Sequence, residues 1–91
     1  MSAAEWSRSD PALWRRAASD WRALWAMEQA PRRGRQELAA ELGYAGPSKI
    51  DTFLAEGKAL RAAAAAGDVE ALARVDRAER LGALIYGPVR S

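Results

Sequence analysis

Cysteine and histidine are both absent from the 91 residues. Thiolate nucleophiles, disulfides, the usual zinc ligand sets and imidazole acid–base catalysis are therefore excluded at the outset. What remains for chemistry is Tyr44, Tyr86, the carboxylates and two lysines, Lys49 and Lys58. None of these forms a recognisable catalytic constellation. Glu37 and Glu41 stand four residues apart, but on a short segment whose polar side is a solvated face. The expectation is a protein that is not an enzyme and carries no cofactor and no metal.

The charged groups that could do something else are the arginines. Twelve of the fourteen cations are arginine, a residue suited to phosphate oxygens and aromatic faces, although such usage also follows from a GC-rich genome. Net charge is only +2, unevenly placed. Residues 1–36 hold seven arginines (8, 15, 16, 22, 32, 33, 35) against four acids (5, 10, 20, 28), and the remainder holds seven bases against eight acids. Arg32, Arg33 and Arg35 thus stand immediately ahead of a stretch reading RQELAAELGYAGPSKIDTF, residues 35–53. There they are placed to hold phosphates, while Ser48, Lys49 and Thr52 at the start of the next segment would face a groove of double-stranded DNA.

Those residues need helices to position them. Alanine, leucine, arginine and glutamate dominate and β-branched residues are sparse, which predicts an all-α fold: a small bundle of four to five helices containing a helix–turn–helix-like unit. The chain divides into a flexible N-terminus at 1–9, one helical domain at 10–87 and a tail at 88–91. Asp10-Pro11 reads as a cap followed by a first-turn proline. From there to about Gln29, Trp14, Ala17, Ala18, Trp21, Leu24 and Trp25 fall on one face, opposite Arg15, Arg16, Ser19 and Arg22. This tryptophan stripe is expected to be core, with a partner-binding surface as the competing reading and Trp6 the most exposed of the four.

After the break at 30–34, a short helix over 35–42 faces Leu38, Ala39 and Leu42 inward. Gly43 ends it and Tyr44 returns a ring to the core. Ser48-Lys49-Ile50-Asp51 has the form of a capping box. Ile50, Phe53, Leu54, Gly57, Leu60 and Ala64 continue a stripe, on which Gly57 either admits a neighbouring helix closely or ends the segment. The alanine run 62–66 has little to pack with. Gly67-Asp68 pairs a stop with a start. A last helix begins at Val69 and runs to about Arg80 or as far as Tyr86, with Ala71, Leu72, Val75 and Ala78 as its apolar face and Glu70–Arg74 and Asp76–Arg80 as surface pairs. Leu81, Leu84, Ile85 and Tyr86 lie off that face and are placed to dock on the domain or on a second copy.

Arg35-x-Glu37-Leu38-Ala39-x-x-Leu42-Gly43-Tyr44-x-x-Pro47-Ser48 resembles the helix–turn–helix of LexA-type DNA-binding domains of bacterial repressors. The resemblance implies a bacterial or phage-like regulator of transcription with Ser48, Lys49 and Thr52 in the major groove. No β-wing follows, and the outward face carries Asp51 and Glu56 but no Arg, Asn or Gln for bidentate base contacts. A second stretch, Gly46-Pro47-Ser48-Lys49-Ile50-Asp51-Thr52-Phe53-Leu54-Ala55-Glu56-Gly57-Lys58-Ala59-Leu60-Arg61, is similar to the helix–hairpin–helix end of the N-terminal domain of family X DNA polymerases. That family grips DNA through hairpin amides. The lysine a lyase would require has no counterpart beyond Lys58.

The expected partner is double-stranded DNA, bound with modest affinity by a monomer and specifically only after homodimerisation through the C-terminal helix. The alternative is a helical protein–protein adaptor or inhibitor using the tryptophans and the apolar C-terminal surface. With no signal peptide and no stretch of roughly 20 apolar residues, a membrane location is not expected and a soluble, cytoplasmic protein is.

Overall fold

The computed structural model describes residues 10–85, omitting only the side chain of Ile85; Trp6, Tyr86 and the two terminal segments lie outside the described residues. Four helices follow one another: α1 (Pro11–Gln29), α2 (Arg35–Leu42), α3 (Ser48–Ala65) and α4 (Val69–Ile85). The described domain is an all-α bundle, as its composition predicts.

Helix α1 is the spine. Its start follows from chemistry at two residues: the Asp10 carboxylate accepts from the Leu13 amide at 3.1 Å, and Pro11 opens the first turn. Around its C-terminal half, buried positions occur on more than one side. Ala23 and Ala26 join Leu38, Ala39, Ile50 and Phe53 in one apolar cluster. Trp21 and Leu24 join Leu60, Ala71, Val75 and Ala78 in another, and Ala17 and Ala18 meet Leu81 in a third. Trp21 is buried and stacks on half-buried Trp25 at 6.1 Å between centroids, while Trp14 packs against the third cluster. The stripe is core.

Helix α3 runs through Gly57 without a break, which decides between the two sequence expectations for that residue. A Cβ built there would stand 2.5 Å from the Ala23 carbonyl oxygen. The missing side chain is what lets α3 approach the α1 backbone. Gly82 does the same on α4, where a Cβ would collide with the Trp21 indole. Helices α2 and α3 end in the same way. Gly43 and Gly67 take left-handed φ values of +86° and +89°, and in each case the following amide reaches back to a carbonyl of the last turn (Tyr44 to Ala39, Asp68 to Ala63). The Asp68 carboxylate then accepts from the Ala71 amide at 3.1 Å, starting α4. Tyr44 leans on Phe53 at 5.9 Å.

The structure corrects four local expectations. Ser48 is the first helical residue of α3 rather than its cap, Pro47 precedes it in helical conformation, and no side chain caps the first turn. The capping box fails because proline fixes the preceding φ and holds the chain helical one residue early. Arg74 turns away from Glu70 to an acid on α1, and Glu70 meets Arg77 instead at 3.6 Å. Leu72 is 49% exposed, so it lies outside the packed face of α4, whereas Leu81 is fully buried. The alanine run is not idle: Ala63 and Ala64 pack against the Trp21 cluster.

Candidate nucleic-acid interface

Helices α2 and α3 are joined by a short turn that leaves the N-terminal end of α3 at the surface. Ser48, Lys49 and Thr52 are all exposed there. The amides of Ile50 and Asp51 bond to the Pro47 carbonyl at 3.0 and 3.3 Å, while those of Ser48 and Lys49 have neither an intrahelical nor a side-chain acceptor. Two free amides at a helix start, with the positive end of the dipole behind them, attract an anion. The Thr52 hydroxyl donates back to the Ser48 carbonyl at 3.5 Å, a weak bond that leaves it free to turn outward.

The arginines behave differently from one another. Arg35, at the start of α2, pairs with Asp51 in the first turn of α3, so the two helices are tied where the site would be. Arg33 is drawn to Glu41, and to Glu37 at 3.4 Å, and lies over the Trp25 ring at 5.6 Å from its centroid. The hydrogen bond it donates to Glu41, more than any other influence, pushes its guanidinium pKa upward. Arg32 is exposed, and among the described residues it forms no ion pair. Of the six residues expected to form the interface, the structure therefore brings together Arg35, Ser48, Lys49 and Thr52. It engages Arg33 with Glu37 and Glu41 and leaves Arg32 exposed in the loop.

The rest of the described surface includes two open grooves of about 360 Å³ each. One lies beside Trp21 and Leu24 and is edged by Glu28, Arg61 and Glu79; Arg61 meets Glu79 at 3.4 Å across it. The other runs between α3 and α4 under Glu56, Asp68 and Glu70, with Arg74 in its wall. Among the described residues no cluster of acids is arranged to hold a metal ion, and no helix is long and apolar enough to cross a membrane.

The most consequential polar contact is one that sequence reasoning missed. Asp20, 94% buried in α1 by its 6% exposure, receives two hydrogen bonds from Arg74 of α4, at 2.8 and 3.1 Å. This fork raises the guanidinium pKa of Arg74, the hydrogen bond to Asp20 being the main cause. A signal was present. Asp20 has Ala17, Ala23 and Leu24 as its helical neighbours, a lone acid ringed by core positions. Comparison with protein-family models, with curated proteins and with solved structures finds no match to this chain.

Proposed function

We propose that the protein binds double-stranded DNA as a small regulatory DNA-binding protein, through α2, the following turn and the first turn of α3. One observation carries the reading: Ser48, Lys49 and Thr52 are exposed together at an α3 start whose first amides lack acceptors. A backbone phosphate seated there receives the Ser48 and Lys49 amides and the Lys49 ammonium. Arg32 adds a second phosphate contact. Arg35 orients the first turn through Asp51 and is available to a phosphate only in competition with that carboxylate. Ser48 and Thr52 face the groove, where hydroxyls discriminate bases weakly. Contacts of this kind fix position more than they read sequence.

Magnitudes follow from the count of free cations. Two phosphates neutralised by Arg32 and Lys49 give a slope of log K against log salt of about −2, and Lys49→Ala should lower its magnitude by about 1. The measurement is fluorescence anisotropy of a labelled random duplex, titrated at low and at moderate salt. Absence of binding at low salt, or binding that salt does not weaken, rejects the proposal.

The adaptor reading is favoured by a different observation. Val69, Leu72 and Leu84, the large hydrophobic side chains that remain exposed among the described residues, all belong to α4. The tryptophans add little to it, since Trp21 is buried and Trp14 and Trp25 are half-buried in the packing.

A further inference from the structure

The outward face of α4 carries a row at four-residue spacing: Leu72, Asp76, Arg80, Leu84. Both leucines are 49% exposed, and the Asp76 and Arg80 side chains are 61% and 71% exposed. Asp76 and Arg80 meet each other at 3.0 Å, so the two charges lie side by side in the middle of the row with a leucine beyond each. The inward side of the same helix is already spent on the core through Ala71, Val75, Ala78 and Leu81. This row is a second, separate face.

A twofold interface must be self-complementary, with residue i meeting j and j meeting i. The sequence apolar–acid–base–apolar meets that condition when two copies of the helix run antiparallel about an axis between Asp76 and Arg80. Leu72 then meets Leu84 of the second copy, Asp76 meets Arg80 of the second copy, and both contacts repeat on the other side of the axis. A parallel pairing in register fails, because it sets Asp76 against Asp76 and Arg80 against Arg80. We propose that the occupant of this face is a second copy of the chain, in this antiparallel register.

The row spans about 18 Å of helix, from twelve steps of about 1.5 Å between Leu72 and Leu84. That is short for an interface of the 1,200 Å² class, so the dimer belongs to the weak, micromolar range. The four central charges already neighbour one another within each chain, and dimerisation joins two pairs into one alternating network. The inference does not rest on DNA binding, and its test reads oligomeric state alone.

Charge reversal makes the register testable in the full chain by sedimentation equilibrium. Wild-type protein should shift from monomer to dimer mass with rising concentration. Asp76→Arg places two arginines opposite two arginines, and Arg80→Asp places two acids opposite two acids. Each variant alone should dissociate at least tenfold more readily than wild type, while an equimolar mixture of the two forms heterodimers, since every contact is again between opposite charges. The double variant D76R/R80D keeps the intrahelical pair and should recover the homodimer. Circular dichroism of each variant verifies that the exposed substitutions leave the helices formed. Three results would overturn the proposal: wild type that stays monomeric up to about 1 mM, single reversals that dimerise as well as wild type, or a mixture that remains monomeric.

Discussion

Arg74 and Asp20 are unequal partners, and the inequality has a measurable consequence. The Asp20 side chain is 8% exposed and that of Arg74 is 31% exposed. Removing the arginine strands a carboxylate inside the protein with nothing to replace the lost bonds. Removing the aspartate leaves a long side chain that can swing its guanidinium to water. Arg74→Ala should therefore cost about 3 kcal/mol, and Asp20→Ala about 1–2 kcal/mol, read as midpoint shifts in urea unfolding at constant slope. Equal losses would mean that the pair is valued for its packing and not for its charges. Protonation enters with a simple sign. The folded state raises the Arg74 pKa above its unfolded value, so this contribution is complete at every pH below the unfolded value and is lost only as pH climbs through the folded one, far into alkali. Stability measured from neutral pH to moderately alkaline pH should show no step assignable to Arg74. The same direction applies to Arg33, whose pairing with Glu41 and Glu37 lies at the surface.

At the scale of the helices, closeness is set by glycine. Ala in place of Gly57 gains up to about 1 kcal/mol of helix propensity. Against that, its Cβ meets the Ala23 carbonyl carbon at 3.0 Å and the Met27 Cβ at 3.4 Å, in addition to the carbonyl oxygen. Backbone cannot turn aside as a side chain can, so α1 and α3 must separate. Overpacking of this kind costs roughly 1–3 kcal/mol or more, and the net loss should lower the melting temperature by about 5–15 °C. Gly46→Ala is the control: no atom lies within 4 Å of its Cβ position and its φ is not positive, so stability should be unchanged or slightly raised. A Gly57→Ala protein as stable as Gly46→Ala would show that the two helices have slack between them.

These helices also mark how far the sequence can be read. The bounds of α2, the cap at Asp10, the glycine stops at 43 and 67 and the tryptophan stripe were legible because each depends on a few adjacent residues. What escaped depends on residues far apart. Asp20 and Arg74 are separated by 54 positions, and only tertiary packing assigns Arg74 to Asp20 in place of Glu70, four residues away. Leu72 and Leu81 exchange sides from expectation for a related reason. The narrow apolar stripe of α4 fits either rotation locally, and the demand of Ala17 and Ala18 for a partner selects the one that buries Leu81. At the candidate interface the positions of Ser48, Lys49 and Thr52 were readable, whereas the capture of Arg33 and Arg35 by carboxylates was not.

For the whole molecule, the three long helices and the short one are bound to different degrees. Helices α1, α3 and α4 enclose the Trp21 cluster between them and are joined by the Asp20–Arg74 fork and the Arg61–Glu79 contact. Helix α2 has eight residues, too few to be stable alone, and it buries only Leu38 and Ala39. Half-buried Leu42 adds some apolar contact, and the other attachments are ion pairs at the surface, Arg33 to Glu37 and Glu41 and Arg35 to Asp51, each worth well under 1 kcal/mol and weakened by salt. α2 should therefore open without the rest. In native-state hydrogen exchange the amides from Leu38 to Tyr44 should report an opening free energy at least about 1 kcal/mol below that of the central turns of α1. Added salt should narrow the protection of α2 while leaving α1 unchanged, because α1 is held by apolar burial and a shielded ion pair. Exchange of α2 and α1 at one common free energy, unmoved by salt, would instead make the protein a single cooperative unit. The predicted difference bears on the proposed DNA binding as well: a phosphate at the α3 start competes with Asp51 for Arg35, and a helix that opens readily can release that arginine at little cost.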